Sequence, residues 1–357
     1  MGKGDTLNTL TNYRPGNLLI NGAMDIWERG SSFTGLTTLT WVCDRWYVSP
    51  SGFSFNVDVA RSTDSPNNSF AYSTKITNQS VVTPSGTNFS NFLQRVHIPN
   101  VQKWIGKRVS FSCWVKTNKA GQYNFFLYMG TGAVFYQLHS NPTLTSGTWT
   151  KITFKSDSVL PNDVSFSGTV GAYIGVHLSS GSSNLGTATT DWMRYPDNAV
   201  LRGDTGQVNF HDTIGNEFYI TGVMVHDNED ENAPFQLHGN DIEQEFDFCR
   251  MYFQRISYPV NAFAFTGIAA STTTLHGEFR YLRPMLKTPT PSVSSTGHFR
   301  IYNNILGNTT LTTFQAFFAT AEQCLLNAIG PGTITGGESY VLQSTNSGAY
   351  IDLNAEI

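Results

Sequence analysis

The side chains of this sequence that could do acid–base chemistry are scattered. The 8 histidines are dispersed along the chain. His211 with Asp212, and His226 with Asp227, could pair a base with an acid, but adjacent residues of a strand point to opposite faces, so neither pair forms a natural relay. The sequence contains no Gly-x-Ser-x-Gly elbow, no phosphate loop and no His-Glu-x-x-His. We therefore predict that the chain is not an enzyme.

The densest acidic run, His226 to Pro234, is the one candidate for a metal site. Hard cations favour clustered oxygens, so calcium could bind there. The candidate ligands are Asp227, Glu229, Asp230 and Glu231. The run lacks the spacing of an EF-hand loop, which favours a solvated turn between two strands. The 4 cysteines form no Cys-x-x-Cys pair and accompany no histidine cluster, so we predict no cofactor, with calcium as the open alternative.

Aromatic residues are the remaining candidates for a binding site. Sugar rings stack on aromatic faces, while neighbouring Asn, Gln and Asp side chains bond the hydroxyls. The stretch from Phe125 to His139 places aromatics on both faces of a predicted hairpin, and Thr189 to Asn198 puts two rings in a polar loop. Packing is the competing interpretation for each single ring. The predicted carbohydrate-binding residues are Tyr128, Phe135, Tyr136, Trp192 and Tyr195.

Composition excludes several classes of function. Charged residues are only 13% of the chain, aromatics also 13%, and the formal net charge is −4. No basic stripe is present to neutralise a phosphate backbone, so nucleic-acid binding is not expected. No apolar run is long enough to cross a bilayer, and the N-terminal residues lack a hydrophobic signal segment. We expect a protein made in a cytoplasm without a signal peptide.

The elements that must position the aromatic residues are mostly strands. From residue 51 to residue 239, short segments alternate apolar and polar residues between turn signals. Phe53, Phe55, Val57 and Val59 share one face in this pattern. Many short strands at this spacing predict an all-β fold, a jelly-roll β-sandwich.

A helix interrupts the strand pattern at residues 240–255. Ile242, Phe246, Cys249 and Phe253 are spaced four, three and four apart, which is one face of a helix. Asn240 followed by Glu243 predicts an N-cap and a capping-box partner. We expect this helix to connect the sandwich to a smaller C-terminal β-domain at residues 256–357. Residues 1–50 are predicted to be an N-terminal segment, flexible at first and then packed on the sandwich.

The start of the chain carries a family resemblance. "NLLINGAMDIWERG" followed by "DRWYV" resembles the start of bacteriophage and prophage tail-fibre and virion structural proteins. The resemblance continues through "FLQRV", "GKRVSFSCWVKTN", "TGQVNF", "NEFYITGVMV" and "IEQEFDFCRMYFQR". It covers about Asn17 to Arg255. The matching positions of its first motifs are Asn17, Leu18, Leu19, Asn21, Trp27, Arg29, Gly30, Asp44, Arg45 and Trp46.

The resemblance implies a fold and a function. The middle of such proteins is similar to carbohydrate-binding modules of jelly-roll type, and their C-terminal β-domain is often trimeric. The implied function is a non-enzymatic virion component, a tail fibre or receptor-binding protein that engages a host surface glycan. The implied partners are two further copies of the chain, other virion proteins and that glycan. A purely structural collar, baseplate or head-fibre protein is the first alternative, and a polysaccharide depolymerase is the second.

Two residues of the opening motif are expected to pack. Trp27 and Trp46 would pin the N-terminal segment onto the sandwich, since that segment cannot fold alone and needs large apolar anchors. In the C-terminal domain the aromatic residues exceed what about a hundred residues can hide, so we expect association to cover them. These residues are Phe263, Phe265, Phe279, Phe299, Phe314, Phe317 and Phe318.

Overall fold

A computed structural model describes residues 16–187, 189, 191–227, 230–332 and 334–357. The predicted flexible lead therefore lies almost entirely outside the described residues. The chain divides into two compact units. The first comprises residues up to Phe246 together with Ile357, and the second runs from Asp247 to Glu356. In the described ranges, no helix has the length and apolar character needed to cross a membrane.

The first unit is built almost entirely of strands. In the described part of this unit, a five-residue α-helix, α1, spans Ile98–Gln102, and short 3-10 helices occupy Ser182–Asn184 and Phe210–Asp212. The strands are β1 (Ser32–Leu36), β2 (Thr40–Trp41), β3 (Trp46–Ser51), β4 (Val57–Ser62), β5 (Ser73–Asn78), β6 (Phe89–His97), β7 (Ser110–Thr117), β8 (Gly121–Gln122), β9 (Asn124–Met129), β10 (Phe135–Ser140), β11 (Thr143–Leu144), β12 (Thr150–Lys155), β13 (Val170–Ser180), β14 (Met193–Tyr195) and β15 (Glu217–His226).

These strands form a jelly-roll sandwich, which confirms the predicted fold class. One sheet has the strand order β1-β4-β5-β15-β7-β12, and the other has the order β14-β10-β9-β13-β6-β3-β2. Along the strands of these two sheets, the chain changes sheet after β1, β3, β5, β6, β7, β10, β12 and β14, the alternation typical of a jelly roll. The predicted boundary at residue 51 differs from the structure, since β1 to β3 already belong to the two sheets.

The core lies between the inner faces of the two sheets. Alternate residues of each strand face it, as the sequence pattern predicted. Val57 and Val59 on β4 are buried, and Phe111 on β7 meets Phe125 on β9 with ring centroids 6.2 Å apart. The same alternation sends every second residue of the other sheet outward, and Tyr47, Leu93, Phe126 and Tyr128 form a separate apolar cluster there. That outward face holds the candidate site described below.

The N-terminal motif is a structural anchor. Asn17 is buried, and its side chain bonds the backbone of β15 through Val223 O at 2.9 Å and Val225 N at 3.0 Å. Trp27 and Trp46 belong to the core, as expected from their type. The Trp46 ring stacks on Phe92 with centroids 5.2 Å apart. The role of these side chains is therefore packing and backbone hydrogen bonding.

The helix after the sandwich is shorter than predicted. It is α2 (Ile242–Arg250), and Phe253 already belongs to the next strand. The predicted cap at Asn240 with Glu243 is wrong by one residue, because the side chain of Asp241 accepts from Gln244 N at 2.8 Å. Ile242 is exposed, and the buried positions are Cys249, as predicted, and Glu245, whose carboxyl accepts from the backbone N–H groups of Asn21 and Gly239. A charged residue at a core position is invisible to an apolar periodicity.

The second unit is also all-β. A three-stranded sheet has the order β16-β25-β19, and a seven-stranded sheet has the order β21-β20-β24-β17-β18-β23-β22. A 3-10 helix occupies Thr296–His298. The strands are β16 (Phe253–Tyr258), β17 (Phe263–Ala269), β18 (Thr274–Arg280), β19 (Thr290–Val293), β20 (Phe299–Asn303), β21 (Gly307–Thr310), β22 (Thr313–Phe317), β23 (Gln323–Ile329), β24 (Ser339–Ser344) and β25 (Ala349–Asn354).

Candidate functional site

The outer face of the first unit's seven-stranded sheet carries ordered rows of side chains. Residues paired across antiparallel strands share a face, so each set of partners forms one row. Across the four central strands one row contains Gln137, Tyr128, Tyr173 and Arg95. The next row contains His139, Phe126, Gly175, Leu93 and Tyr47. Gly175 adds no side chain to its row, so the floor is lowest between Phe126 and Leu93.

These rows form a cleft of about 460 Å³. Its floor is the buried cluster of Tyr47, Leu93, Phe126 and Tyr128. Half-buried side chains rise around this floor and remain reachable from solvent. They include Phe89, Arg95, Phe135, Tyr173 and Arg202. A concave surface that combines rings with a few polar groups is the usual form of a small-ligand site.

The floor is fixed by ring stacking and hydrogen bonds. Phe126 stacks on Tyr128 with centroids 4.6 Å apart and on His177 with centroids 4.2 Å apart. The Tyr128 hydroxyl donates to Leu201 O and lies 3.1 Å from His177 Nε2. Each ring is therefore held in one orientation before any ligand arrives, which reduces the entropy cost of binding.

A loop closes one side of the cleft. The side chain of Gln137 holds this loop by two hydrogen bonds to its backbone. Gln137 Nε2 donates to Ala199 O at 2.6 Å, and Gln137 Oε1 accepts from Leu201 N at 3.0 Å. The loop brings Arg202 over the Phe89 ring, with its guanidinium carbon 3.8 Å from the ring centroid. The same carbon lies 5.5 Å from the Tyr128 ring centroid. The wall is thus a cation held against two aromatic faces.

Asn91 supplies an unused polar group to the cleft. The residue is 7% exposed, and its side-chain oxygen has no hydrogen-bond partner within the described part of the chain. Leaving a buried acceptor unsatisfied costs about 1–3 kcal/mol. A ligand hydroxyl that donates to Asn91 would remove this cost.

The charge of the cleft comes from its arginines. Burial, followed by the positive charge of Arg202, lowers the pKa of His139 to about 3 and holds the pKa of His177 well below its usual value. Both imidazoles are therefore neutral at pH 7. Burial raises the pKa of Tyr47 to about 12, so its hydroxyl stays protonated. No carboxylate is present among the described residues that line the cleft.

The structure brings together two of the five rings predicted from the sequence and places a third beside them. Tyr128 and Phe135 line the cleft, and their centroids are 6.5 Å apart. Tyr195 on β14 stacks on Phe135 with centroids 4.6 Å apart, and it is 36% exposed. Tyr136 faces the core, because it is the strand neighbour of Phe135, and its hydroxyl donates to Asp163. Trp192 packs against the same core.

The residues that sequence reasoning missed lie on strands that looked like ordinary core strands. Tyr173 lies between the buried Ala172 and Ile174, so the alternation along β13 indicates that its side chain faces away from the core. Arg95 and Asn91 alternate with the buried Phe92 and Val96 in the same way on β6. The outward-facing positions of the apolar strands, and not only the loops, therefore indicate these site residues.

The predicted calcium ligands remain a prediction. Asp227 pairs with Lys107, whose Nζ lies 2.5 Å from Asp227 Oδ2, and Glu229 lies outside the described residues. Within the described part of the chain, no group of three or more His, Cys, Asp and Glu side chains is arranged to hold a metal ion. The four cysteines are buried free thiols.

The fold and the cleft define a class, a jelly-roll β-sandwich with an aromatic cleft on one outer face. No protein-family model matches the sequence, and no curated protein does. Among solved structures, the chain is similar to the enzymatically active domain of tailspike protein 4 of bacteriophage CBA120, with 15% identity and a TM-score of 0.31. The match covers 59% of this chain, which spans only 21% of that tailspike chain.

Two further solved structures are similar over the same share of the chain. One is described as CBM4, with 13% identity and a TM-score of 0.30 over 58% of this chain and 98% of that one. The other is a candidate sugar-binding protein from Bacteroides thetaiotaomicron, with 13% identity and a TM-score of 0.32 over 59% of this chain and 100% of that one.

Proposed function

We propose that the chain is a glycan-binding component of a phage virion, a tail fibre or receptor-binding protein that engages a host surface glycan without catalysis. The observation that carries the binding function is the cleft on the outer face of the sandwich. It combines solvent-reachable rings with a buried, unpartnered acceptor. The virion role is supported by the ordered motifs between Asn17 and Arg255. In this role the protein would work as part of an assembled particle.

The cleft suits a saccharide because its groups match both sides of a sugar ring. Tyr173 offers ring surface to the C–H face of a sugar, because it is half-buried and not covered by the core. Asn91 Oδ1 accepts one hydroxyl, and Thr131 and Ser49 lie in the lining as further hydroxyl partners. Stacking with a few oriented hydrogen bonds is how such sites fix orientation.

The absence of catalysis is part of the proposal. Hydrolysis of a glycosidic bond by the usual route needs two carboxyl groups flanking that bond. The described lining of the cleft supplies arginines, amides and hydroxyls instead. A polysaccharide depolymerase would therefore need its acids elsewhere on the chain.

Binding of the purified full chain to a panel of bacterial strains and to an array of bacterial surface glycans tests the proposal. We expect binding to a subset of both, and no shortening of the bound polysaccharide on prolonged incubation. Shortened products would establish the depolymerase alternative. A chain that binds no strain and no glycan would contradict the binding function and favour the purely structural virion protein.

One observation on the second unit favours the alternative of a purely structural virion protein. The same observation supports self-association of a receptor-binding fibre. Several large apolar side chains are exposed there, with Ile305 at 89%, Phe318 at 85% and Phe263 at 60%. Exposed apolar groups of this size favour an interface. We propose that further copies of the chain cover them, in a homotrimer.

A further inference from the structure

We propose that the saccharide taken by the cleft is anionic, with a carboxylate, phosphate or sulfate group of the sugar chain held by Arg202. This inference rests on the proposed glycan-binding function and adds the class of ligand. It follows from the position of Arg202, from the absence of a carboxylate among the described residues that line the cleft, and from the unpartnered acceptor nearby.

Arg202 is positioned by its backbone, and its charged end is left for the cleft. Its N–H donates to Asn184 O at 2.8 Å, and its carbonyl oxygen accepts from the Ser180 hydroxyl. The guanidinium carbon then lies 3.8 Å from the Phe89 ring centroid and 5.5 Å from that of Tyr128. An arginine stacked on rings keeps its outward N–H donors free for a planar oxyanion, which it binds in a two-point manner.

Among the described residues, no carboxylate neutralises this cation. Within the described ranges, Arg202 forms no ion pair with an Asp or Glu side chain, and the cleft lining contains none. The nearest acid in the sequence, Asp204, accepts instead from the backbone and hydroxyl of Thr205, at 2.5 Å and 2.9 Å. An unpaired cation in a partly desolvated wall attracts an anionic ligand.

Arg95, the other arginine of the cleft, has a different role. Its Nε donates to the Tyr47 hydroxyl at 3.1 Å, and its Nη1 donates to the backbone oxygen of Ile357 at 2.7 Å. Its guanidinium carbon also lies 4.9 Å from the Tyr47 ring centroid. Arg95 thus holds the floor in place, whereas the Arg202 guanidinium contacts the Tyr128 side chain and keeps its other N–H donors for the cleft.

The unpartnered acceptor lies at the same end of the cleft as Arg202. Asn91 is two residues from Phe89 on β6, and both side chains face the cleft. Asn91 pairs across the sheet with His177, whose ring is 5.5 Å from the Phe89 ring. A sugar hydroxyl on Asn91 and an oxyanion on Arg202 therefore belong to the same or adjacent sugar units.

The test uses matched pairs of polysaccharides and the full-length chain. Each carboxylated, phosphorylated or sulfated glycan of a bacterial panel is compared with its carboxyl-reduced, dephosphorylated or desulfated form. We expect at least one native anionic glycan to bind, and its neutral form to bind on the order of ten- to one-hundred-fold more weakly, as expected for one charge-assisted hydrogen-bonding contact. Binding should also weaken as salt is raised.

Two variants and a control assign the effect to one residue. Arg202→Gln should reduce binding of the anionic form to the level of the neutral form, and Arg202→Lys should restore part of the difference. Arg61→Gln removes an arginine that lies 4.4 Å from the Tyr72 ring centroid on the other sheet, and should change nothing in binding.

Three outcomes would overturn the inference. Equal affinity for native and neutral forms would leave the glycan-binding function standing and reject the anionic class. An anion preference that survives in Arg202→Gln, with its melting temperature unchanged, would reject the residue. Failure to bind any glycan of the panel, anionic or neutral, would reject the proposed function together with this inference.

Discussion

Substitution of Tyr173 is the clearest way to distinguish a ring that stacks on a ligand from a ring that packs in the core. It lies on the central strand β13, in the row between Tyr128 and Arg95, and it faces the cleft half-buried. Tyr136 is the matched opposite case, because it carries the same side chain but faces the core. The two tyrosines thus pair a candidate contact residue with a control of identical chemistry.

We expect Tyr173→Ala to weaken glycan binding at least tenfold while changing the free energy of unfolding by less than about 1 kcal/mol, because the ring is only half-buried. Tyr136→Ala should instead cost about 3–5 kcal/mol of stability. Titration calorimetry and urea unfolding on each variant check both numbers. Parent-like binding by Tyr173→Ala would remove this ring from the site.

Buried histidines make stability depend on pH at the residue scale. Burial lowers the pKa of His211 to about 4, where its ring bonds Ser90 and Asn78. The unfolded chain therefore binds the extra proton between about pH 6.5 and pH 4. Stability from this group is present above pH 6.5 and is lost as the pH falls through that window.

The expected size of this effect is about 2 kcal/mol between pH 7 and pH 5 for His211 alone. The loss of stability over that interval should be smaller by this amount in His211→Gln than in the parent. Comparing the two proteins cancels groups that act in the opposite sense, such as Glu245, whose pKa burial raises to about 7. Urea unfolding at both pH values measures the difference, and identical pH dependence would contradict the assignment.

At the scale of elements, the opening motif acts as one anchored segment. Asn21 adopts a left-handed backbone with φ 57°, and its side-chain oxygen accepts from the N–H groups of Asp25 and Ile26 at 3.0 Å. Its Nδ2 donates to the carbonyl oxygens of Ile26 and Asp44, both at 2.9 Å. One short polar side chain therefore joins two turns of the segment.

Replacing Asn21 separates these two contributions. Asn21→Ala should lower the free energy of unfolding by about 3–5 kcal/mol, because it loses the buried hydrogen bonds and also strains a left-handed position. Asn21→Gly should lose about 1 kcal/mol less, since glycine adopts this φ without strain. Chemical denaturation measures both variants. If both variants are equally stable, the backbone conformation contributes nothing.

The sequence predicted the strands well because alternation is a local signal. Phe55, Val57 and Val59 face the core where the period-two pattern places them. The buried face of the helix was less predictable. Glu245 is buried because its carboxyl accepts from the N–H groups of Asn21 and Gly239, and Asn21 is distant in the sequence. The sequence predicted only part of the candidate site, because contacts between distant segments leave no local pattern. Rings in the hairpin and loop were visible, whereas Tyr173, Asn91 and Arg202 meet only when β6, β13 and the loop assemble.

At the scale of the whole molecule, the second unit exposes apolar side chains that need an explanation. Of the seven phenylalanines whose surface we expected association to cover, Phe265, Phe279 and Phe299 are buried in the unit's own core, whereas Phe318 and Phe263 are exposed. If these exposed groups form an interface between copies of the chain, the purified protein should have the mass of a trimer in light scattering at micromolar concentration.

Phe318→Glu combined with Phe263→Glu should convert that trimer to a monomer without loss of secondary structure, because both side chains lie outside the core. Ile214→Glu is the matched control, since Ile214 is an apolar residue of the first unit that is 60% exposed. It should leave the mass unchanged. A monomeric parent would contradict the predicted homotrimer.

The most direct measurement of the central claim is a crystal structure of the full chain with the tightest-binding saccharide of the glycan panel. We predict sugar density in the cleft, with a ring stacked on Tyr173, a hydroxyl donating to Asn91 Oδ1 and an oxyanion at Arg202. Sugar bound instead on the outer face of the six-stranded sheet or on the second unit, with the cleft empty, would contradict it.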